Sequence, residues 1–133
     1  MKKERKLYVR LLDDTVKKVH SIDFSNREIQ VVDYDGWDGL AEWDLETVEF
    51  LAPELSKKQQ IVYNWLIHES FYGETKRAMD TMFVYINMTA IHDAEDEKIS
   101  AMVHAYEELS DSEFAEVLCA FGKAKTLTGG EME

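Results

Sequence analysis

The chain has 133 residues, of which 45% are hydrophobic, and a formal charge of −12 that comes from 27 acidic and 15 basic side chains. This apolar content is enough to fold one domain without a disulfide or a metal, which excludes an intrinsically disordered chain. The negative charge argues against direct binding to a nucleic-acid backbone or to an anionic membrane, because both attract clustered Lys and Arg.

The compartment is predicted from what the chain lacks. Cys119 is a lone cysteine, which excludes an internal disulfide and fits a reducing environment. No apolar run approaches the roughly 18 residues of a membrane span. The basic start, residues 1–6, is not followed by an apolar stretch of the signal-peptide type. We therefore expect a cytoplasmic protein.

The first half of the chain predicts an antiparallel β-meander of four to five strands. Short runs rich in Val, Ile, Leu and aromatic residues are separated by turn-forming Asp, Asn and Gly, and they span 6–12, 16–24, 28–33, 40–44 and 47–51. Alternation of apolar and polar residues is regular in the first run. It is poorer in the second, which predicts a β-bulge there.

A helical period begins after Pro53. Ser56 and Gln59 have the spacing of a capping box, which predicts a helix over 57–71 that ends near Gly73. The next helix, over 75–91, carries apolar residues on two sides, with one stripe formed by Met79, Met82, Phe83 and Ile86 and another by Val84, Met88 and Ile91. A helix of this kind is either central to the core or shared with a second subunit.

Two further helices complete the prediction. One spans 96–109 and has a narrow apolar stripe. The last begins at Ser110, which forms a second capping box with Glu113, and is predicted to end at Gly122. The chain is thus predicted to be a single α+β domain, divided into a β-sheet half, a helical half and a flexible tail that span 1–52, 53–125 and 126–133.

One stretch of the chain is strongly acidic although its apolar spacing is that of strands. Between residues 28 and 54 there is no Lys or Arg, and there are nine carboxylates: Glu28, Asp33, Asp35, Asp38, Glu42, Asp44, Glu46, Glu49 and Glu54. Like charges on a small sheet repel one another, and their field attracts a positively charged partner. The sequence therefore predicts a partner-binding face formed by Tyr34, Asp35, Trp37, Asp38, Glu42 and Asp44.

Trp37 has two interpretations. It lies between Gly36 and Gly39, where a loop tip would expose it, and Trp is strongly enriched among interface hot spots. As an exposed side chain it would anchor the partner. Alternatively, it folds back onto the sheet as a lid. Trp43 and Trp65 lie in periodic apolar segments and are predicted to be core residues.

Two other classes of function stay open. In one, an oligomer of this chain binds a nucleotide-like signal between helices of adjacent subunits, through aromatic and basic side chains: Phe71, Tyr72, Lys76, Arg77, Phe83 and Tyr85. In the other, the chain is a small enzyme. The sequence carries no recognisable catalytic, cofactor or metal motif, and the pair His104 and Glu108 lacks the frame of known metal sites. We therefore predict a non-enzymatic protein that needs no cofactor or metal.

In size, in charge and in its lack of catalytic signatures, the whole chain resembles the small acidic accessory proteins encoded by phages and prophages. Many of these inhibit host defence or nucleic-acid enzymes, some by presenting carboxylates in the manner of DNA phosphates. The resemblance implies an anti-defence inhibitor that acts as a DNA mimic and occludes a basic, nucleic-acid-binding surface of a partner protein. A homodimer or larger assembly through the helical half is a further expectation.

Overall fold

The computed structural model describes residues 7–34, 38–71, 74–89 and 97–128, without the side chains of 88–89 and 127–128. Its strands are β1 (Tyr8–Arg10), β2 (Val16–Asp23), β3 (Glu28–Val32), β4 (Leu40–Asp44) and β5 (Glu49–Leu51), with a 3-10 turn (Leu45–Thr47) before β5. The helices that follow are α1 (Lys57–Ser70), α2 (Thr75–Thr89), α3 (Glu97–Glu108) and α4 (Asp111–Thr128). The predicted α+β fold with an N-terminal antiparallel sheet is confirmed.

The five strands lie in the order β4-β3-β2-β1-β5, and each neighbouring pair is antiparallel. β1 to β4 form the predicted meander, whereas β5 returns to the far edge of the sheet and pairs with β1. Val9 lies opposite Phe50 in that pair, and both side chains are fully buried (0% exposed). We call the face that carries Val9, Ile29 and Phe50 the inner face, and the opposite face the outer face.

The bulge predicted in the second strand is confirmed. The register of β2 against β3 shifts between Val19 and Ser21, so that Val19 lies opposite Val31 and Ile22 lies opposite Ile29. Val19 and Ile22 are three residues apart and would face opposite sides of a regular strand. The extra residue in the bulge places both on the inner face of the sheet.

The first helix begins as predicted. The Ser56 hydroxyl accepts a hydrogen bond from the Gln59 N–H at 3.3 Å, and the Gln59 side chain accepts one from the Ser56 N–H at 2.8 Å. This capping box satisfies two backbone donors that the helix itself leaves unpaired. The helix ends at Ser70, one residue before the predicted end, and Gly73 lies outside the described residues.

Burial is uneven along the predicted apolar stripes of α2. In the first stripe Met82 is fully buried but Phe83 is 38% exposed, and in the second Val84 is 52% exposed. The other members of the second stripe, Met88 and Ile91, lie outside the described side chains. In α3, Met102 and Val103 of the predicted stripe are buried.

The fourth helix has its predicted start but not its predicted end. The Ser110 N–H donates to the Glu113 carboxylate at 2.9 Å, and the Glu113 N–H donates to the Ser110 hydroxyl at 3.1 Å. The predicted end at Gly122 is wrong, because α4 continues to Thr128. A glycine inside a helix costs about 1 kcal/mol, and the burial of Phe121 and Ala124 on either side outweighs it. The first three residues of the predicted tail are therefore helical.

The described residues divide into two compact units. The first belongs to the ranges Met1–Leu51 and Ala124–Glu133, and the second belongs to the range Ala52–Lys123. The boundary after Leu51 lies close to the predicted division at Pro53. The core of the second unit is formed by apolar side chains of all four helices: Val62, Tyr63, Leu66, Ile67, Ala78, Met82, Met102, Val103, Ala105, Val117, Ala120 and Phe121. Trp43 and Trp65, predicted as core residues, are half-buried.

Candidate partner-binding surface

Four of the six residues predicted to bind a partner lie in the described part of the β3–β4 hairpin. Tyr34 follows β3 and is 91% exposed, and Asp38 is exposed just before β4. Glu42 and Asp44 are exposed and lie in β4. The other two, Asp35 and Trp37, lie outside the described residues, so the predicted role of Trp37 stays a prediction.

The base of this hairpin is closed by local hydrogen bonds. The Asp33 N–H donates to the Gly39 carbonyl at 2.8 Å, and the Asp38 carboxylate accepts from the Leu40 N–H at 3.1 Å. Gly39 has a φ of +79°, a left-handed conformation that favours glycine. The Asp38 carboxylate therefore holds the turn into β4, in addition to any role in binding.

The register of the sheet places four carboxylates together on the outer face. Glu28 lies opposite Asp44 on one side and opposite Asp23 on the other. Glu42 lies two residues before Asp44 in β4, so it is on the same face as Asp44. We call Asp23, Glu28, Glu42 and Asp44 the acidic patch. It joins Glu42 and Asp44, which were predicted as binding residues, to Glu28, which belongs to the predicted acidic stretch, and to Asp23, which lies outside that stretch.

Part of the signal for the other two residues was present in the sequence. β3 and β4 pair about position 36, so that residue 28 lies opposite residue 44. The Asp and Gly residues between the two strands predict a turn, but they do not fix its centre, so the pairing of Glu28 with Asp44 required the structure. Asp23 required the register of the preceding hairpin as well, and the bulge in β2 alters that register.

The neighbouring carboxylates of the patch affect the pKa of Glu28. A hydrogen bond shared with the Glu42 carboxyl, together with the charges of Glu42, Asp23 and Asp44, raises the pKa of Glu28. Two carboxylates can share a hydrogen bond only while one of them is protonated. Ionisation of Glu28 is therefore opposed by its neighbours, and a cation placed against this side chain would favour the ionised form.

Two carboxylates of the patch are held in place by backbone groups. The Asp23 carboxylate accepts hydrogen bonds from the Asn26 N–H at 3.1 Å and from the Asn26 side chain at 2.8 Å, and these bonds lower the pKa of Asp23. The Asp44 carboxylate accepts from the Glu46 N–H at 3.0 Å. Their positions on the outer face are thus fixed by the turns that follow β2 and β4.

Three basic side chains of the sheet unit pair with carboxylates outside the patch. Arg10 lies 2.9 Å from Glu49, Lys17 lies 3.8 Å from Asp33, and Arg27 lies 3.4 Å from Glu46. These surface pairs are individually weak.

The residues of the alternative small-molecule site are dispersed in the helical unit. Phe83 and Tyr85 are two positions apart in α2, about 200° around the helix axis, and so point to opposite sides. The Tyr85 ring packs edge-on against Trp65, with ring centroids 6.2 Å apart. The Phe83 ring packs against Phe114, at 6.4 Å, and also against Tyr106.

The other described members of that set are Lys76, Arg77 and Phe71. Lys76 and Arg77 are exposed in the first turn of α2. Phe71 is half-buried beside His68, with ring centroids 6.3 Å apart. Tyr72 lies outside the described residues. The predicted site would form between adjacent subunits, so it stays a prediction.

The described residues hold neither a metal-binding cluster nor a membrane-spanning helix. Over 7–34, 38–71, 74–89 and 97–128, no group of three or more His, Cys, Asp or Glu side chains is arranged to hold a metal ion. Glu108, which lies four residues after His104 in α3, forms a salt bridge in which its carboxylate is 2.9 Å from the Lys58 ammonium group. None of the helices in the described part of the chain is both long and apolar enough to cross a membrane.

The comparisons with known proteins identified no relative of this chain. No protein-family model matches the chain, and neither the curated proteins nor the solved structures yielded a match.

Proposed function

We propose that this chain is a non-enzymatic binding protein whose acidic patch occupies a basic surface of a partner protein, in place of the nucleic acid that this surface binds. The observation that carries the proposal is the arrangement of Asp23, Glu28, Glu42 and Asp44 on three adjacent strands. The hydrogen bond with Glu42 and the charge of Glu42 raise the pKa of Glu28, which supports the proposal. Lys and Arg side chains of a partner surface would attract these carboxylates and offset the repulsion between them.

The spacing of the patch suits a surface that binds phosphates. Alternate residues of a strand are about 6.7 Å apart and neighbouring strands are about 4.8 Å apart, so the carboxylates form a regular array of negative charge. A nucleic-acid-binding surface presents Lys and Arg to a comparable array of phosphates. The protein would act by competitive occlusion, and its association would be accelerated by long-range attraction.

Two features extend the proposed face beyond the patch. Tyr34 is 91% exposed at the end of β3, on the same hairpin. Trp37, in the loop of that hairpin, is the predicted apolar anchor. Aromatic side chains of this kind slow dissociation because they are desolvated in the complex, whereas the charges mainly govern association. The nucleotide-binding alternative requires a site between helices of adjacent subunits and stays a prediction.

The experiment compares two double charge reversals that change the net charge equally. One is Glu42→Lys with Asp44→Lys, in the patch, and the control is Asp80→Lys with Glu107→Lys, on exposed helical positions. Each variant and the original protein serve as bait in a lysate of the source cells, and captured proteins are quantified. We expect a nucleic-acid-binding protein to be captured by the original and the control, and to be lost with the patch variant.

Binding kinetics with the captured protein test the mechanism. At about 50 mM salt the patch variant should associate at least about tenfold more slowly than the control, and the difference should shrink at about 200 mM. Duplex DNA should compete with the original protein for the partner. Equal effects of the two double variants, or binding that DNA does not disturb, would contradict the proposal.

A further inference from the structure

β4 is the longer of the two edge strands. It has five residues, all paired with β3, and β5 at the opposite edge has three. Among the residues that the structure describes, no strand pairs with the other side of β4. An edge of this kind presents backbone donors and acceptors that can pair with a strand from another chain.

Two hydrogen bonds show which backbone groups of β4 face this open side. The Asp33 N–H donates to the Gly39 carbonyl, and the Leu45 N–H donates to the Arg27 carbonyl, both at 2.8 Å. In an antiparallel pair, hydrogen-bonded positions alternate with positions whose backbone groups point away. The odd-numbered residues of β4 therefore bond to β3. The N–H and C=O of Glu42 point to the open edge.

The same alternation applies to the two ends of β4. The Leu40 C=O and the Asp44 N–H also point to the open edge. The remaining groups on that side are occupied locally, because the Leu40 N–H donates to the Asp38 carboxylate and the Asp44 C=O accepts from the Thr47 hydroxyl at 2.7 Å. The edge thus offers four groups in register, which is the pattern that an antiparallel strand of five residues would complete.

The side chains of β4 determine what kind of strand fits. Glu42 and Asp44 are exposed on the outer face, with Glu28 of the patch on the neighbouring strand. Trp43 lies opposite Ile29, so it points to the inner face, and it is half-buried. An added strand would therefore meet carboxylates on one face and an aromatic surface on the other.

We propose that β4 is the docking edge for an extended segment of the partner that carries Lys or Arg at alternate positions and adds to the sheet as an antiparallel strand. This inference rests on the proposed function and specifies how the partner is engaged. Basic residues of the segment lie opposite Asp44 and Glu42, and an apolar residue between them packs against Trp43. The residue opposite Leu40 is apolar.

The same edge discriminates against a second copy of this chain. An antiparallel β4–β4 pair centred on Glu42 would place two Glu42 side chains directly opposite each other, next to the acidic patches of both copies. Like charges in directly opposed positions are destabilising. The charge that attracts a basic segment therefore also opposes edge-to-edge association in this register, a hazard of exposed edge strands.

The test uses a fluorescein-labelled peptide that contains the segment Lys-Val-Lys-Thr-Val, with the second Lys designed to lie opposite Glu42. N-methylation of that Lys removes its hydrogen bond to the Glu42 carbonyl and keeps the charge. The matched control is N-methylated at the first Val, whose N–H points away from β4. We expect the first change to weaken binding about fivefold more than the second. Amide exchange at Glu42 and Asp44 should slow when the unmodified peptide is bound.

The outcomes separate this inference from the proposed function. Equal affinities of the two methylated peptides, unchanged amide exchange, or no binding of the unmodified peptide at about 50 mM salt would overturn docking at the β4 edge. Each of these results leaves the charge-reversal experiment with the captured partner to be decided on its own. Loss of partner binding in the patch variant together with equal peptide affinities would mean that the outer face binds without strand addition.

Discussion

Replacement of Gln59 by Met should destabilise the helical unit more than a change at any exposed position of α1. The Gln59 side chain is 4% exposed. Its oxygen accepts from the Ser56 N–H at 2.8 Å, and its nitrogen donates to the Glu113 carbonyl at 2.9 Å and to the Glu116 carboxylate at 3.0 Å. One amide therefore completes the start of α1 and ties it to the first turns of α4.

The magnitude follows from these three hydrogen bonds. Met is close to Gln in shape but forms none of them, so the change should lower the free energy of unfolding by about 2–3 kcal/mol. For a chain of this size the melting temperature should fall by about 10 °C. Lys57→Met, at the exposed first position of the same helix, is the control and should change the free energy by less than about 0.5 kcal/mol. Urea unfolding followed by circular dichroism measures both.

Gln59→Glu adds a test by pH. A carboxylate at this position would face the Glu113 carbonyl and the Glu116 carboxylate, so the folded state would raise its pKa. Stability then decreases as the pH rises above the ordinary Glu value of about 4.3, and the loss relative to the original protein should be larger at about pH 7 than at about pH 4. A loss below about 1 kcal/mol for Gln59→Met, or a pH-independent loss for Gln59→Glu, would refute the proposed bridge between α1 and α4.

Three further changes test other parts of the molecule. Ser110→Ala removes the hydroxyl that caps α4 and should cost about 1 kcal/mol in urea unfolding; no change would argue against a helix start there. Gly122→Ala should raise stability by about 0.5–1 kcal/mol, since the added Cβ meets no atom within 4 Å and the residue lies inside α4. Destabilisation would mean that the helix breaks at Gly122. Glu28→Gln should raise the melting temperature at neutral pH, with a gain that disappears once acid protonates Glu28; a constant gain would exclude repulsion from Glu42 as the cause.

The elements of this protein could be predicted wherever the determining contacts are local. Both capping boxes join residues three positions apart, so Ser56 with Gln59 and Ser110 with Glu113 are legible in the sequence. The bulge in β2 was predicted from its irregular alternation, because one strand has to place both Val19 and Ile22 on a single face. The turn-forming Asp, Asn and Gly residues predicted the positions of the hairpins, because turn chemistry also acts over a few residues.

The candidate site was predicted only in part. Glu42 and Asp44 of β4 were predicted as binding residues because they lie in a stretch of the sequence that is rich in carboxylates. Glu28 and Asp23 belong to the patch through pairing between strands, and that pairing depends on the centre of one hairpin and on the bulge in another. The direction in which the Glu42 backbone groups point has no sequence signal, because it is set by the phase of the hydrogen bonds between β3 and β4.

Local sequence thus determined where most strands and helices begin, since capping, turn chemistry and alternation act over a few residues. Tertiary structure decided three things that no local rule contains. β5 crosses to the far edge because Phe50 is buried opposite Val9. α4 continues through Gly122 because burial on both sides exceeds the cost of one glycine. Among the described strands, β4 forms an acidic edge because all the others lie on the side of β3, and strand order depends on contacts between residues that are distant in the chain.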